Sequence, residues 1–87
     1  MRAVITVIGK DRVGILADLA SVCAKNQANV VDVSQTIMQE YFTMTMLVEI
    51  DQINLEFEEF QQAVKDSNPD MTIHVMHEEI FNHMHRV

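Results

Sequence analysis

The spacing of apolar residues switches repeatedly between the period of a strand and that of a helix, and the order of those switches limits the fold. Residues 2–8, "RAVITVI", are almost continuously apolar and β-branched, which predicts a buried strand ending at Gly9. From Val13 the spacing becomes helical. Leu16, Leu19, Ala20 and Cys23 make one stripe, with Asp18, Ser21 and Lys25 elsewhere on the wheel. Asn26 to Asn29 closes this helix, and the next strand begins at Val30. In it Val31, Val33 and Ile37 share one parity against Asp32, Ser34 and Thr36, with Gln35 interrupting the apolar side. Residues 42–50 alternate more strictly. Phe42, Met44, Met46, Val48 and Ile50 face the core, and Thr43, Thr45 and Glu49 face away, with Tyr41 on their side. These two strands form an antiparallel hairpin through Gln39 to Tyr41.

Helical spacing returns with Ile53, Phe57, Phe60 and Val64. Asn54 is the expected N-cap, Glu56, Glu58 and Glu59 suit the positive end of the dipole, and Lys65 suits its negative end. Ser67-Asn68-Pro69-Asp70 stops the helix. A last strand carries Ile73, Val75 and His77 on one side, and the tail "IFNHMHRV" adds a short helical turn. Two right-handed β-α-β crossovers joined by a hairpin give an α+β, ferredoxin-like βαββαβ domain. Its four-stranded antiparallel sheet carries two helices on one face. Residues 1–87 form one domain, with a core over about 2–78 and a short tail at 79–87. Val4, Ile8, Leu47 and Met76 belong to the bare face. A small domain of this kind gains by covering a face or edge with a second copy.

Thirteen acids against six scattered bases leave a net charge of −7. Nucleic-acid phosphates and anionic membranes need converging Lys and Arg, so neither is an expected partner. A hydrophobic fraction of 48% argues for a packed globule, and seven methionines for an adaptable core. The single Cys23 excludes an internal disulfide and fits a reducing compartment. The N-terminal stretch lacks the apolar core of a signal peptide, and no segment approaches a membrane span. The expectation is a cytoplasmic protein.

The richest chemistry lies between the first strand and first helix, in "GKDRVGILADLA". Backbone N–H groups near Val13 to Leu16 are free at a helix N-terminus and suit a carboxylate or phosphate. Gly14 lets a ligand approach the backbone, Asp11 suits an ammonium group, and Arg12 suits an anion. The same residues also read as an ordinary turn with Asp11 as cap. His74 and His77 point to opposite faces of a strand. His83 and His85 could chelate a metal from an extended tail, but nothing supplies a supporting shell, so no metal or cofactor is expected. Cys23 falls on the helix stripe and reads as a buried small hydrophobe.

"DRVGILADLASVCAKNQANVVDVSQ" resembles the "DRPGLL" helix and following strand of the ACT domain, a small regulatory amino-acid-binding module. Asp11-Arg12, Gly14, Leu16 and Asn29 stand where that pattern expects them, and the element order matches to about Glu78. The opening "VIGKDRVGI" is most similar to the stand-alone UPF0237 group, related to the ACT modules of the glycine-cleavage repressor. Val13 replaces the pattern's proline, and Gly9 stands where some amino-acid-binding members carry a polar side chain. The resemblance implies a homodimer that binds an amino acid between the first loop of one copy and the second strand of the other. Asp11, Arg12, Val13, Gly14, Ile15 and Leu16 would form the loop side, and Asn29 and Val30 the partner side. A regulatory protein partner is also implied. An interaction-only domain is the alternative. An acylphosphatase-type enzyme would use Arg12 to hold phosphate, but the loop offers no cradle of successive glycine N–H groups.

Overall fold

The computed structural model describes residues 1–84. In chain order these are β1 (Arg2–Lys10), α1 (Ile15–Lys25), β2 (Asn29–Met38), β3 (Tyr41–Glu49), α2 (Phe57–Ser67), β4 (Thr72–His77) and α3 (Glu78–Met84). The strands form one antiparallel sheet in the order β2-β3-β1-β4, as the ferredoxin-like topology requires. The parity expected for β3 is the observed one: Met44, Met46 and Val48 are buried and pair with Val7, Ile5 and Ala3 of β1. The core is completed by Ile15, Leu19 and Cys23 of α1, Phe60 and Val64 of α2, and Ile73 and Val75 of β4. Complete burial of Phe60 alone stabilises the fold by roughly 2–3 kcal/mol.

Four local features depart from the expected ones. The buried stripe of α1 runs Ile15, Leu19, Cys23, whereas Leu16 is 39% exposed. Both stripes are apolar in the sequence, and the way the helix lies on the sheet chose the one that includes Ile15. In β2 a bulge between Val30 and Asp32 makes Val31 the extra residue, so Val30 pairs with Val48 and Val33 with Met46. The turn that follows is Gln39–Glu40, with Gln39 in the left-handed region at φ 57. The N-cap of α2 is Glu56 rather than Asn54, and its N–H donates to the Glu59 carboxylate at 3.1 Å. Ile53 and Leu55 pack against the core from the segment before the helix, which delays its start.

Both long helices lie on one face: α1 packs beside α2 and over β2, and α2 packs over β4. The tail's helical turn is α3, which contacts β1 and β4. On the face opposite α1 and α2, Val4 is 3% exposed and Ile8, four residues along β1, is 51% exposed. One end of the bare face is thus shielded and the other open. Edge strand β2 is the least covered element, with Val30, Val31, Ile37 and Met38 all exposed.

Candidate functional site

The loop between β1 and α1 presents backbone donors at its surface. Gly14 is the N-cap of α1, at φ 94 and ψ −1, and no side chain caps the helix. Asp11 is therefore not the cap. The N–H groups of Ile15, Leu16 and Ala17 find no acceptor among the described residues; the first helical bond of the turn is Asp18 N–H to the Gly14 carbonyl, at 3.0 Å. Unpaired N–H groups at the positive end of a helix dipole favour an anionic group. The Asp11 side chain is exposed and accepts no hydrogen bond among the described residues, while its own N–H donates to the Glu40 carbonyl at 2.7 Å. Among the described residues this loop thus carries both unpaired N–H donors and an unpaired carboxylate.

Arg12 stands differently from the free group expected of an anion ligand. Its Nε donates to Asp70 Oδ2 at 2.7 Å and its Nη2 to Asp70 Oδ1 at 2.9 Å, a two-pronged pair. Nη2 also donates to Asn68 Oδ1, and Nη1 to the Val13 carbonyl at 3.1 Å. The hydrogen bond to Asp70 raises the Arg12 pKa further, and the same bond holds the Asp70 carboxyl below its ordinary range. With the guanidinium so engaged, the loop lacks the free arginine that phosphate chemistry would need.

Gly14 is required by its backbone: at φ 94 any side chain is strained, although a Cβ there would meet nothing closer than Arg12 Nη1 at 3.9 Å. Gly9 has another reason. It lies in β1 where a Cβ would collide with the sulfur of Met71, so a side chain there must displace the Met71 side chain. Val13 is 97% exposed, and the Ile15 side chain belongs to the core, leaving only its N–H for the site.

Asn29 and Val30 are not near this loop within one chain. Asn29 pairs with Glu49, the partner of Arg2, whereas the loop follows Lys10, the partner of Tyr41. Eight strand residues separate those rows, about 27 Å. Asn68 and Asp70 carry no local signal of their part at the loop, because Ser67–Asp70 reads only as a helix stop. Their partner Arg12 is 56 and 58 residues away.

The other end of the sheet holds a surface cavity of about 420 Å³ lined by Met1, Arg2, His77, Glu78, Glu79 and Ile80. The terminal ammonium pairs with Glu49 at 2.9 Å and Asp51 at 2.6 Å, and Arg2 with Glu78 at 2.9 Å. His77 stacks on Phe57, ring centroids 4.0 Å apart. Among the described residues no three His, Cys, Asp or Glu side chains gather as a metal site. His83 lies within α3 rather than in an extended tail, and His85 lies outside the described residues. Cys23 is fully buried, and burial pushes its thiol up to about 11, so it is not a poised nucleophile. No helix of the described residues is long and apolar enough to cross a membrane.

Comparison with known proteins agrees with the fold. The family model of the ACT domain matches residues 2–77. A UPF0237 protein of Listeria monocytogenes is 51% identical over 89 residues, covering 100% of both chains. Among solved structures, an ACT domain protein from Streptococcus pneumoniae superposes with a TM-score of 0.79 at 34% identity, covering 93% of each chain. The regulatory subunit of aspartate kinase from Thermus thermophilus shares the fold, with a TM-score of 0.65 at 20% identity over 85% of this chain and 49% of that one. With its core, its element order and its whole length matched, this chain belongs to the ACT domain family, in the UPF0237 group.

Proposed function

We propose that this regulatory ACT domain works as a homodimer that binds a free amino acid between the first loop of one copy and β2 of the other. The observation that carries the reading is the pairing of unlike, unsatisfied groups in one loop. Free N–H groups of Ile15, Leu16 and Ala17 suit an α-carboxylate, and the unpartnered Asp11 carboxylate suits an α-ammonium.

The edge of β2 supports the dimer. If two such edges pair antiparallel about a twofold axis, the Asn29 end of one strand meets the Met38 end of the other. Met38 adjoins the turn whose Glu40 carbonyl accepts the Asp11 N–H. Asn29 and Val30 of a second copy would then reach the loop that their own chain keeps about 27 Å away. Binding at such a seam changes the interface, and the signal is limited to the ligand's difference in affinity for the two states. The same reading places the protein in the cytoplasm, where the Cys23 thiol stays reduced.

The test is a thermal-shift screen of the twenty amino acids, followed by calorimetry on any hit, with mass measured in solution. A dimer with a midpoint raised by one or a few amino acids is expected, and Asp11→Ala should weaken the hit at least tenfold, about 1.4 kcal/mol. Undiminished affinity in that variant would remove the ammonium site from the loop. The engagement of Arg12 by Asp70 favours a second reading, an interaction-only domain whose loop is structural and whose partner is a protein. An intact dimer silent toward all twenty amino acids selects it.

A further inference from the structure

We propose that Asn68 and Asp70, in the turn between α2 and β4, are positioning residues for the loop site. On this view they set the aim of its N–H groups through Arg12 without touching the ligand; the part that concerns affinity rests on the reading above. Among the described residues Asn68 is the one buried polar side chain, and each of its groups is used. Its carbonyl oxygen accepts from Arg12 Nη2, and its amide donates to the Ile15 carbonyl at 3.4 Å and to Ser67 Oγ at 3.1 Å. One side chain thus touches both the loop and the first turn of α1. Ser67 Oγ in turn donates to the Val64 carbonyl at 2.6 Å, which ties the arrangement to the end of α2.

Asp70 completes the hold. Its two oxygens take Arg12 Nε and Nη2 in parallel, so the guanidinium plane cannot turn without losing both bonds. From that fixed plane Nη1 holds the Val13 carbonyl at 3.1 Å. In a trans peptide the carbonyl and the following N–H point in opposite directions, so a fixed Val13 carbonyl also fixes the Gly14 N–H. On the far side the loop is held by Asp11 N–H to the Glu40 carbonyl. The four residues Asp11 to Gly14, which need φ above zero at Gly14 and have no side-chain cap, would otherwise be free to wander. Ordering them in advance removes a cost that a ligand would have to meet on binding.

The test uses the whole chain and the exposed member, Asp70, because Asn68 variants are at risk of unfolding. Asp70→Asn keeps the shape but weakens the charged pair, Asp70→Ala removes it, and Asp70→Glu restores the charge. Asp51→Asn, at the other end of the sheet, is the control. The backbone order of residues 11–17 is read by ¹⁵N relaxation, and each of the twenty amino acids is titrated singly. Asp70→Ala should loosen the loop and weaken the bound amino acid about tenfold, with Asp70→Asn intermediate, Asp70→Glu recovering and Asp51→Asn unchanged. A loop equally ordered in Asp70→Ala overturns the inference, whether or not any amino acid binds. So does a loosened loop with undiminished affinity for an amino acid that the wild type binds. If the wild type binds none of the twenty, the reading of the site fails, and loosening of residues 11–17 still supports the positioning role of the turn.

Discussion

The two ends of the sheet each carry a knot of charges, and the knots differ in what lies beneath them. At the loop end Arg12 is gripped by Asp70 and backed by the fully buried Asn68. At the terminal end the Met1 ammonium lies between Glu49 and Asp51, and Arg2 lies beside Glu78, with none of these groups buried. Water screens the second set, and exposed pairs of this kind are worth little. A buried amide cannot exchange its partners for water, so losing one leaves a polar group stranded. Charge density alone therefore says little about constraint; a fully buried polar side chain marks where the chain is held.

The largest expected break in this contrast comes from Asn68→Ala. It removes the bonds to Arg12, Ile15 and Ser67 and opens a small void, and urea unfolding should show a loss of about 2–3 kcal/mol. A loss below about 0.5 kcal/mol would put the two ends on an equal footing. A smaller effect is expected from Gly9→Ala, beside the same loop. The Met71 side chain must move aside for the new methyl group, at a cost of about 1 kcal/mol. Combining it with Met71→Ala in a double-mutant cycle should show favourable coupling, whereas strict additivity would rule the collision out. The smallest effect belongs to the terminal end, where Asp51→Asn should leave the unfolding midpoint unchanged within error.

The two ends also part company with pH. The hydrogen bonds that it donates to Asp51, then to Glu49, hold the Met1 ammonium above its ordinary pKa of 8.0. Its contribution is complete below that value and is lost as pH rises through the raised one. Arg12 stays charged throughout, so the loop end should not respond on the alkaline side. On the acid side both respond, because Arg12 depresses Asp70 and the terminal ammonium depresses Asp51. Each carboxylate contributes above its ordinary range and loses that contribution as pH falls through its lowered value. Amide shifts followed from about pH 8 to 10 should move near Met1, Glu49 and Asp51 and stay fixed near Arg12 and Asn68. Movement at both ends would break the distinction.

Much of the fold was legible because strands and helices write their periods locally. The alternation through Phe42, Met44, Met46, Val48 and Ile50 allowed one buried face, and β3 buries it. The element order left one compact antiparallel topology, and the sheet follows it. For α1, Ile15 and Leu16 were both apolar at a helix start, and only the docked angle of the helix sorted them. The bulge at Val30–Asp32 had no warning in a strand whose apolar side was already broken by Gln35. At the loop, Gly14 and the polar triplet marked the place, but not the hold on it.

What the sequence by itself determined is the set of elements, their order, the buried face of β3 and the loop that carries free N–H groups. Each depends on residues within a few positions of one another, where side-chain period and turn chemistry act directly. What only the tertiary structure decided is how that loop is held and what remains uncovered around it. The grip of Asn68 and Asp70 on Arg12, the sulfur of Met71 against Gly9, the shielding at Val4 and the bare edge of β2 join or expose residues distant along the chain. Contacts across such separations exist only after the sheet has paired, so no local pattern can announce them. "DRVG" marks the loop that carries the free N–H groups, and the turn at 68–70 holds Arg12 within it.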